Sequence, residues 1–106
     1  MDDFLKRTWA EINLDAITHN YIQIKRVLRP STQICCVVKA DGYGHGAPFV
    51  AKELQNIGAQ WFAVSNLEEA VQLRRSGING NLLILGYTPP AEAPTLHRLN
   101  ISQTVF

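Results

Sequence analysis

Disulfides, spaced metal motifs and membrane spans all lack a basis in this sequence. Its 106 residues hold two cysteines, Cys35 and Cys36. Being adjacent, they can form neither a disulfide framework nor a spaced zinc site, and they read as reduced thiols in a strand. No apolar run approaches the roughly 20 residues of a membrane helix. No H-E-x-x-H pattern or carboxylate cluster points to a metal. An excess of one charge is missing too, with ten Lys and Arg against nine Asp and Glu, which excludes a basic nucleic-acid arm and an acidic tail. The opening Met1-Asp2-Asp3-Phe4 has neither the basic start nor the apolar stretch of a signal peptide. These absences lead to the expectation of a cytoplasmic chain with no nucleic-acid or membrane partner. What is present, 46% hydrophobic and 18% charged residues, is a globular composition in a chain long enough to bury a core.

Strand and helix alternate along the chain. Residues 7–13, Arg-Thr-Trp-Ala-Glu-Ile-Asn, alternate in character and predict a short strand. Leu14, Ile17, Tyr21, Ile24 and Leu28 fall at spacings of three and four, predicting an amphipathic helix over 15–28 that Arg29-Pro30-Ser31 stops. Ile34-Cys35-Cys36-Val37-Val38 is a continuous apolar run of the kind found in parallel sheets. After a glycine-rich loop, Pro48 to Ile57 reads as a helix with proline in its first turn and Gly58 at its end. Trp61 to Val64 is a strand, and Asn66 with Glu69 forms a capping box for a helix ending at Gly77. Leu82 to Leu85 is a strand, 86–90 a turn, 91–99 a weaker helix with Pro94 in its first turn, and Ser102 to Phe106 another strand.

The later strands are thus expected near residues 61, 82 and 103, a period of 21 residues typical of parallel α/β units. The sequence stops within an apolar strand after about three and a half such units, whereas an eight-unit barrel takes about 200–250 residues. The expectation is an α/β fold forming the N-terminal part of a (β/α)8 TIM-type barrel over 1–106, truncated at that point, with residues 7–13 as a strand ahead of the barrel. A complete small doubly wound domain is the alternative.

The chemistry is expected where the first apolar strand ends, at Val37-Val38-Lys39-Ala40-Asp41-Gly42-Tyr43-Gly44-His45-Gly46. A lysine placed directly after buried apolar residues lies on the strand-end rim where α/β active sites form. Partial burial there lowers a lysine's pKa, and the neutral amine can attack a carbonyl. The glycines beyond it allow a backbone to approach a ligand closely. The same glycines admit a competing reading as a non-catalytic dinucleotide-binding module. Gly42, Gly44 and Ala47 fit G-x-G-x-x-A, and Glu68 stands where a ribose-binding acid would. That reading leaves Lys39 and Tyr43 unexplained. Arg74 and Arg75 read as a solvated helix face, and His19 and His97 as surface residues.

The stretch 38–46, Val-Lys-Ala-Asp-Gly-Tyr-Gly-His-Gly, resembles the pyridoxal-phosphate attachment motif of the alanine racemase family. Thr8 to Ala16 with Asn20, Glu68-Glu69-Ala70, the strand end Leu85-Gly86 and the closing Thr-Val-Phe resemble that family in order and spacing. Asp41-Gly42 stands where many members carry Asn-Ala.

The resemblance implies interconversion of L- and D-alanine, which supplies D-alanine for bacterial cell-wall peptidoglycan. Lys39 would hold pyridoxal 5'-phosphate and, once freed, move the α-proton on one face. Tyr43 would place its hydroxyl on the cofactor phosphate, and Leu85 would pack near the cofactor. His45 matches the motif without an assigned chemistry. A second base would come from the neighbouring subunit of a homodimer, far along the chain, and none of Tyr21, Tyr43 and Tyr87 matches it. The 106 residues would then be the cofactor-lysine part of an enzyme and inactive by themselves. An amino-acid decarboxylase or a one-domain pyridoxal-phosphate carrier would share the lysine, but the Tyr-Gly-His-Gly tail favours the racemase.

Overall fold

The computed structural model describes residues 2–38 and 46–105, with side chains described from Asp15 onward. The chain divides into two units, Met1–Gln33 and Ile34–Phe106. The first holds one helix, α1 (Asp2–Val27). It contains the expected helix and continues through residues 7–13, so the strand predicted there is not formed. A strand satisfies its backbone N–H and C=O groups only by pairing, whereas a helix satisfies them internally. The 26 residues of α1 contain neither glycine nor proline to stop it. Its last turn carries Lys25 and Arg26, favourable at the negative end of a helix dipole. Lys25 Nζ lies 5.9 Å from the centroid of the Tyr21 ring, one turn earlier. Of the predicted apolar stripe, Ile24 stays 49% exposed.

The second unit is a four-stranded sheet with its helices: β1 (Cys35–Val37), α2 (Gly46–Asn56), β2 (Trp61–Val64), α3 (Leu67–Arg75), β3 (Asn81–Ile84), α4 (Ala93–Arg98) and β4 (Ile101–Gln103). A 3-10 turn over Pro90–Glu92 leads into α4. The strands lie in the order β1-β2-β3-β4, and each neighbouring pair is parallel. A doubly wound sheet reverses its strand order at a switch point. This sheet does not, and it has the order and direction of the opening strands of a (β/α)8 barrel. The later strands begin at 61, 81 and 101, so the period is 20 residues rather than the expected 21. β4 ends at Gln103, and the predicted strand over 102–106 shrinks to that short element, with Thr104 N–H still donating to Ile84 O at 3.0 Å.

Register separates the two faces of the sheet. Cys36, Phe62, Leu82 and Ile101 share one row, followed on the same face by Val64 and Ile84. Phe62, Val64, Leu82 and Ile84 are all 0% exposed, and burial of each contributes about 1.5–3 kcal/mol. Ala47, Ala51 and Leu54 of α2 and Ala70 and Leu73 of α3 are the buried residues of these helices. The alternate residues, Val37, Ala63 and Leu83, form a row on the opposite face. The adjacent cysteines fall on opposite faces: Cys35 is exposed and Cys36 half-buried. Burial pushes both thiols up, Cys36 with a further contribution from Cys35.

Each helix returns to the sheet through a residue in the left-handed region: Gly58 (φ 107°), Gly77 (φ 93°) and Asn100 (φ 54°). At α2, Ala59 N–H donates to Leu54 O at 2.9 Å and Gly58 N–H to Gln55 O at 3.1 Å. At α3, Ile78 N–H donates to Leu73 O at 3.0 Å and Gly77 N–H to Arg74 O at 3.1 Å. Both are Schellman ends, and the apolar residue after each glycine, Ala59 or Ile78, is buried. The glycine spacing in the sequence therefore sets where each new strand enters the sheet.

Candidate active site

The two ends of the strands are built differently. At the N-terminal ends, Arg74 from the last turn of α3 donates to four backbone carbonyls. Its Nε meets Leu99 O at 2.9 Å, its Nη1 meets Ile78 O at 2.8 Å and Gly80 O at 2.7 Å, and its Nη2 meets Asn100 O at 3.0 Å. Burial lowers its pKa, but a guanidinium stays charged. Arg74 is thus a lock between the segments entering β3 and β4, not the solvated residue that the sequence predicts. Arg75 does remain exposed. Gln55 makes a second lock: its Oε1 accepts from Asn79 N at 2.7 Å and Gly80 N at 3.2 Å, and its Nε2 donates to Gly77 O at 3.3 Å. Gly80 has no room for a side chain, since a Cβ would sit 2.9 Å from Gln60 O.

At the C-terminal ends, pairing continues past the strands. Val38 N–H donates to Ala63 O at 2.9 Å, Leu85 N–H to Val64 O at 2.8 Å and Gly86 N–H to Ser65 O at 3.1 Å. Gly86 must be glycine, because a Cβ there would lie 2.4 Å from Ser65 O. Asn66 caps α3 by accepting from Glu69 N at 2.9 Å, and Glu69 Oε1 accepts from Ser65 N at 2.8 Å. This is the predicted capping box, with its return bond shifted one residue back.

Leu85 sits at this end, two residues beyond Leu83 and on the same face, and is 39% exposed. Val37, also on that face, is 55% exposed. Both lie on the side away from the buried rows, at the C-terminal end of that face, with Ala63 between their strands 1% exposed. Lys39 and Tyr43, with Asp41, Gly42, Gly44 and His45, lie outside the described residues. Val38, the residue before Lys39, is 4% exposed and bonded into the sheet edge. Glu68 of the dinucleotide reading is exposed in the first turn of α3, where a carboxylate is explained by the helix dipole. Among the described residues no group of three His, Cys, Asp or Glu could hold a metal ion. No helix among them is long and apolar enough to cross a membrane.

A parallel, sequentially wound sheet defines an α/β fold of the kind that opens a (β/α)8 barrel, ahead of any particular chemistry. Comparison with known proteins narrows it. A family model described as the N-terminal domain of alanine racemase matches residues 12–106. The alanine racemase of Desulfovibrio desulfuricans is 48% identical over 106 residues, covering 100% of this chain and 29% of that protein. Alanine racemase 2 of Oceanobacillus iheyensis is 50% identical over 99 residues, covering 93% of this chain and 25% of that protein. Among solved structures, the alanine racemase of Bacillus anthracis with bound L-Ala-P superposes with a TM-score of 0.79 at 40% identity, covering 88% of this chain and 24% of that one. A histidine racemase from Leuconostoc mesenteroides matches with a TM-score of 0.70 at 33% identity, covering 83% of this chain and 23% of that one. The chain belongs to the alanine racemase family, and it spans 25–29% of the length of these two curated relatives.

Proposed function

We propose that this chain is the cofactor-lysine part of a cytoplasmic, homodimeric alanine racemase, and that the intact enzyme interconverts L- and D-alanine with pyridoxal 5'-phosphate. The observation that carries the reading is the run Val38 to Gly46, which directly follows β1 and whose first residue, Val38, is bonded to Ala63 at the C-terminal end of the sheet. The exposed apolar side chains of Val37 and Leu85 at that end support it, since a flat aromatic ring packs against such groups.

When bound, the cofactor supplies an electron sink that stabilises the negative charge left at the α-carbon of an amino acid. The chain supplies position and proton transfer. Lys39 anchors the cofactor through its side-chain amine. The same amine, when free, would take the α-proton from one face of the substrate or return it there. Tyr43 gives a hydroxyl to the cofactor phosphate, and Leu85 bounds the ring on one side. The base for the opposite face comes from outside these residues, contributed by the partner subunit.

Borohydride reduction of the cofactor-loaded intact enzyme, followed by peptide mapping, is expected to fix a pyridoxyl group on Lys39. Label on Lys25 or Lys52, or none at all, overturns the assignment. The alanine preference rests on relatives named as alanine racemases, while a histidine racemase shares the fold at 33% identity. Racemisation assays with L-alanine and L-histidine on one preparation separate the two, with faster turnover of alanine expected.

A further inference from the structure

Gln103, the last residue of β4, uses its whole side-chain amide on the C-terminal end of the sheet. Its Nε2 donates to Gly86 O at 2.6 Å and to Thr104 O at 3.0 Å, and its Oε1 accepts from the Thr88 hydroxyl. Two carbonyl oxygens around one end of the amide require that end to be the NH2 group, which fixes the orientation of the side chain. Gly86 is held from the other side by its N–H bond to Ser65 O, at a separation that admits no side chain. The residue between that clamp and β3 is Leu85. The connection from β3 towards α4 is therefore tied to both neighbouring strands at the point where it leaves Leu85.

We infer that Gln103 is a positioning residue for the cofactor site: through the Gly86 carbonyl and the Thr88 hydroxyl it sets the backbone of Leu85 and of residues 86–88 against the rim. This rests on the proposed placement of the cofactor beside Leu85. A residue of any other type loses part of the arrangement. Glutamate keeps the shape and the bond from Thr88, but its carboxylate faces two carbonyl oxygens with no hydrogen to give them. Leucine or methionine keeps the volume and leaves all three partners unpaired.

The test compares Gln103→Glu with Gln55→Glu in the intact enzyme, because Gln55 makes the same kind of bridge at the opposite end of the sheet. Three quantities are read: pyridoxal-phosphate affinity by equilibrium dialysis, peptide-resolved hydrogen exchange over residues 82–90, and Tm. Gln103→Glu is expected to weaken cofactor binding by roughly 3- to 10-fold, the range of one net hydrogen bond, and to speed exchange across 85–88. Gln55→Glu is expected to lower Tm with cofactor affinity unchanged. Equal cofactor affinity in Gln103→Glu and wild type, or a loss of affinity in both variants that follows their loss of Tm, overturns the inference. If Gln103→Glu does not fold, Thr88→Val decides, since it removes one bond of the same clamp. Faster exchange at 86–88 with weaker cofactor binding supports the inference, and no change in either overturns it. A wild-type enzyme that binds no pyridoxal phosphate would instead refute the proposed function, while the exchange measurement still reports whether the clamp exists.

Discussion

At the N-terminal ends of the strands, Arg74 and Gln55 between them bond seven backbone groups, two of them on Gly80, and Ile78 behind them is 1% exposed. At the C-terminal ends, the backbone is equally well bonded through Ser65, Gly86 and Gln103, yet Leu85 and Val37 stand 39% and 55% exposed. The difference lies in the side chains, not in the ladder. One end directs its side chains inward onto backbone and completes the fold. The other holds its backbone still and leaves side chains available. A parallel sheet wound in one direction makes this division natural, because every loop that follows a strand opens on the same end.

The sharpest way to break that division is to change lysines. Lys39→Ala in the intact enzyme is expected to abolish racemisation and the borohydride-fixed label together. Lys52→Ala, on the exposed side of α2, is expected to leave both unchanged. Comparable loss from Lys52→Ala would mean that the chemistry does not belong to the C-terminal end.

Arg74→Ala should give the largest loss of stability among the polar substitutions proposed for the described residues. It leaves four carbonyls without their donor in a half-buried place, and about 2–4 kcal/mol is expected from lost charge-assisted bonds and incomplete rehydration. Arg74→Lys should recover only part of it, because an ammonium cannot reach four acceptors in a fork. Chemical denaturation of each variant measures the loss. Cofactor affinity of the folded protein should not move, and a shift there would show that the two ends are coupled.

Tyr43→Phe probes the chemical end with a single atom. If its hydroxyl bonds the charged phosphate as proposed, removing it costs about 1.5–3 kcal/mol, so cofactor affinity should fall by roughly 10- to 150-fold. Unfolding of the cofactor-free protein should be unaffected. Unchanged affinity by equilibrium dialysis would make Tyr43 a packing residue.

How legible each end is from sequence follows from the kind of signal it carries. The helices α2 and α3 and their closing glycines are readable because a left-handed C-terminal residue and a buried apolar successor are local patterns. The capping pair Asn66 and Glu69 is readable for the same reason. Residues 7–13 mislead because their alternation is short, and a segment without glycine or proline can satisfy its own backbone as a helix. Arg74 is invisible in sequence: an arginine in the last turn of a helix looks solvated, and its acceptors at Leu99 and Asn100 lie 25 and 26 residues away. Gln103 is invisible in the same way, since its partner Gly86 is 17 residues distant. The run at 38–46 is the reverse case: its proposed cofactor role rests on a contiguous motif, and Lys39 and Tyr43 fall outside the described residues.

The smallest expected effect tests whether a purely structural residue can sit at the end proposed to hold the cofactor. Asn66 caps α3 beside Ser65, whose carbonyl receives Gly86 N–H. Asn66→Ala removes the acceptor for Glu69 N–H and should cost about 1 kcal/mol, the usual value of an N-cap. Asn66→Asp keeps an acceptor and adds a negative charge at the positive end of the helix, so it should be neutral or slightly stabilising. Neither change reaches Leu85, because Ser65 remains in the ladder through its carbonyl rather than through Asn66. Cofactor affinity should therefore be the same in both variants and in wild type, with only the denaturation midpoint separating Asn66→Ala from the rest. Weaker cofactor binding in Asn66→Ala alone would mean that the cap, through Ser65 and Gly86, holds the rim together with Gln103. Position at one end of the sheet would then matter less than membership of that one hydrogen-bonded chain.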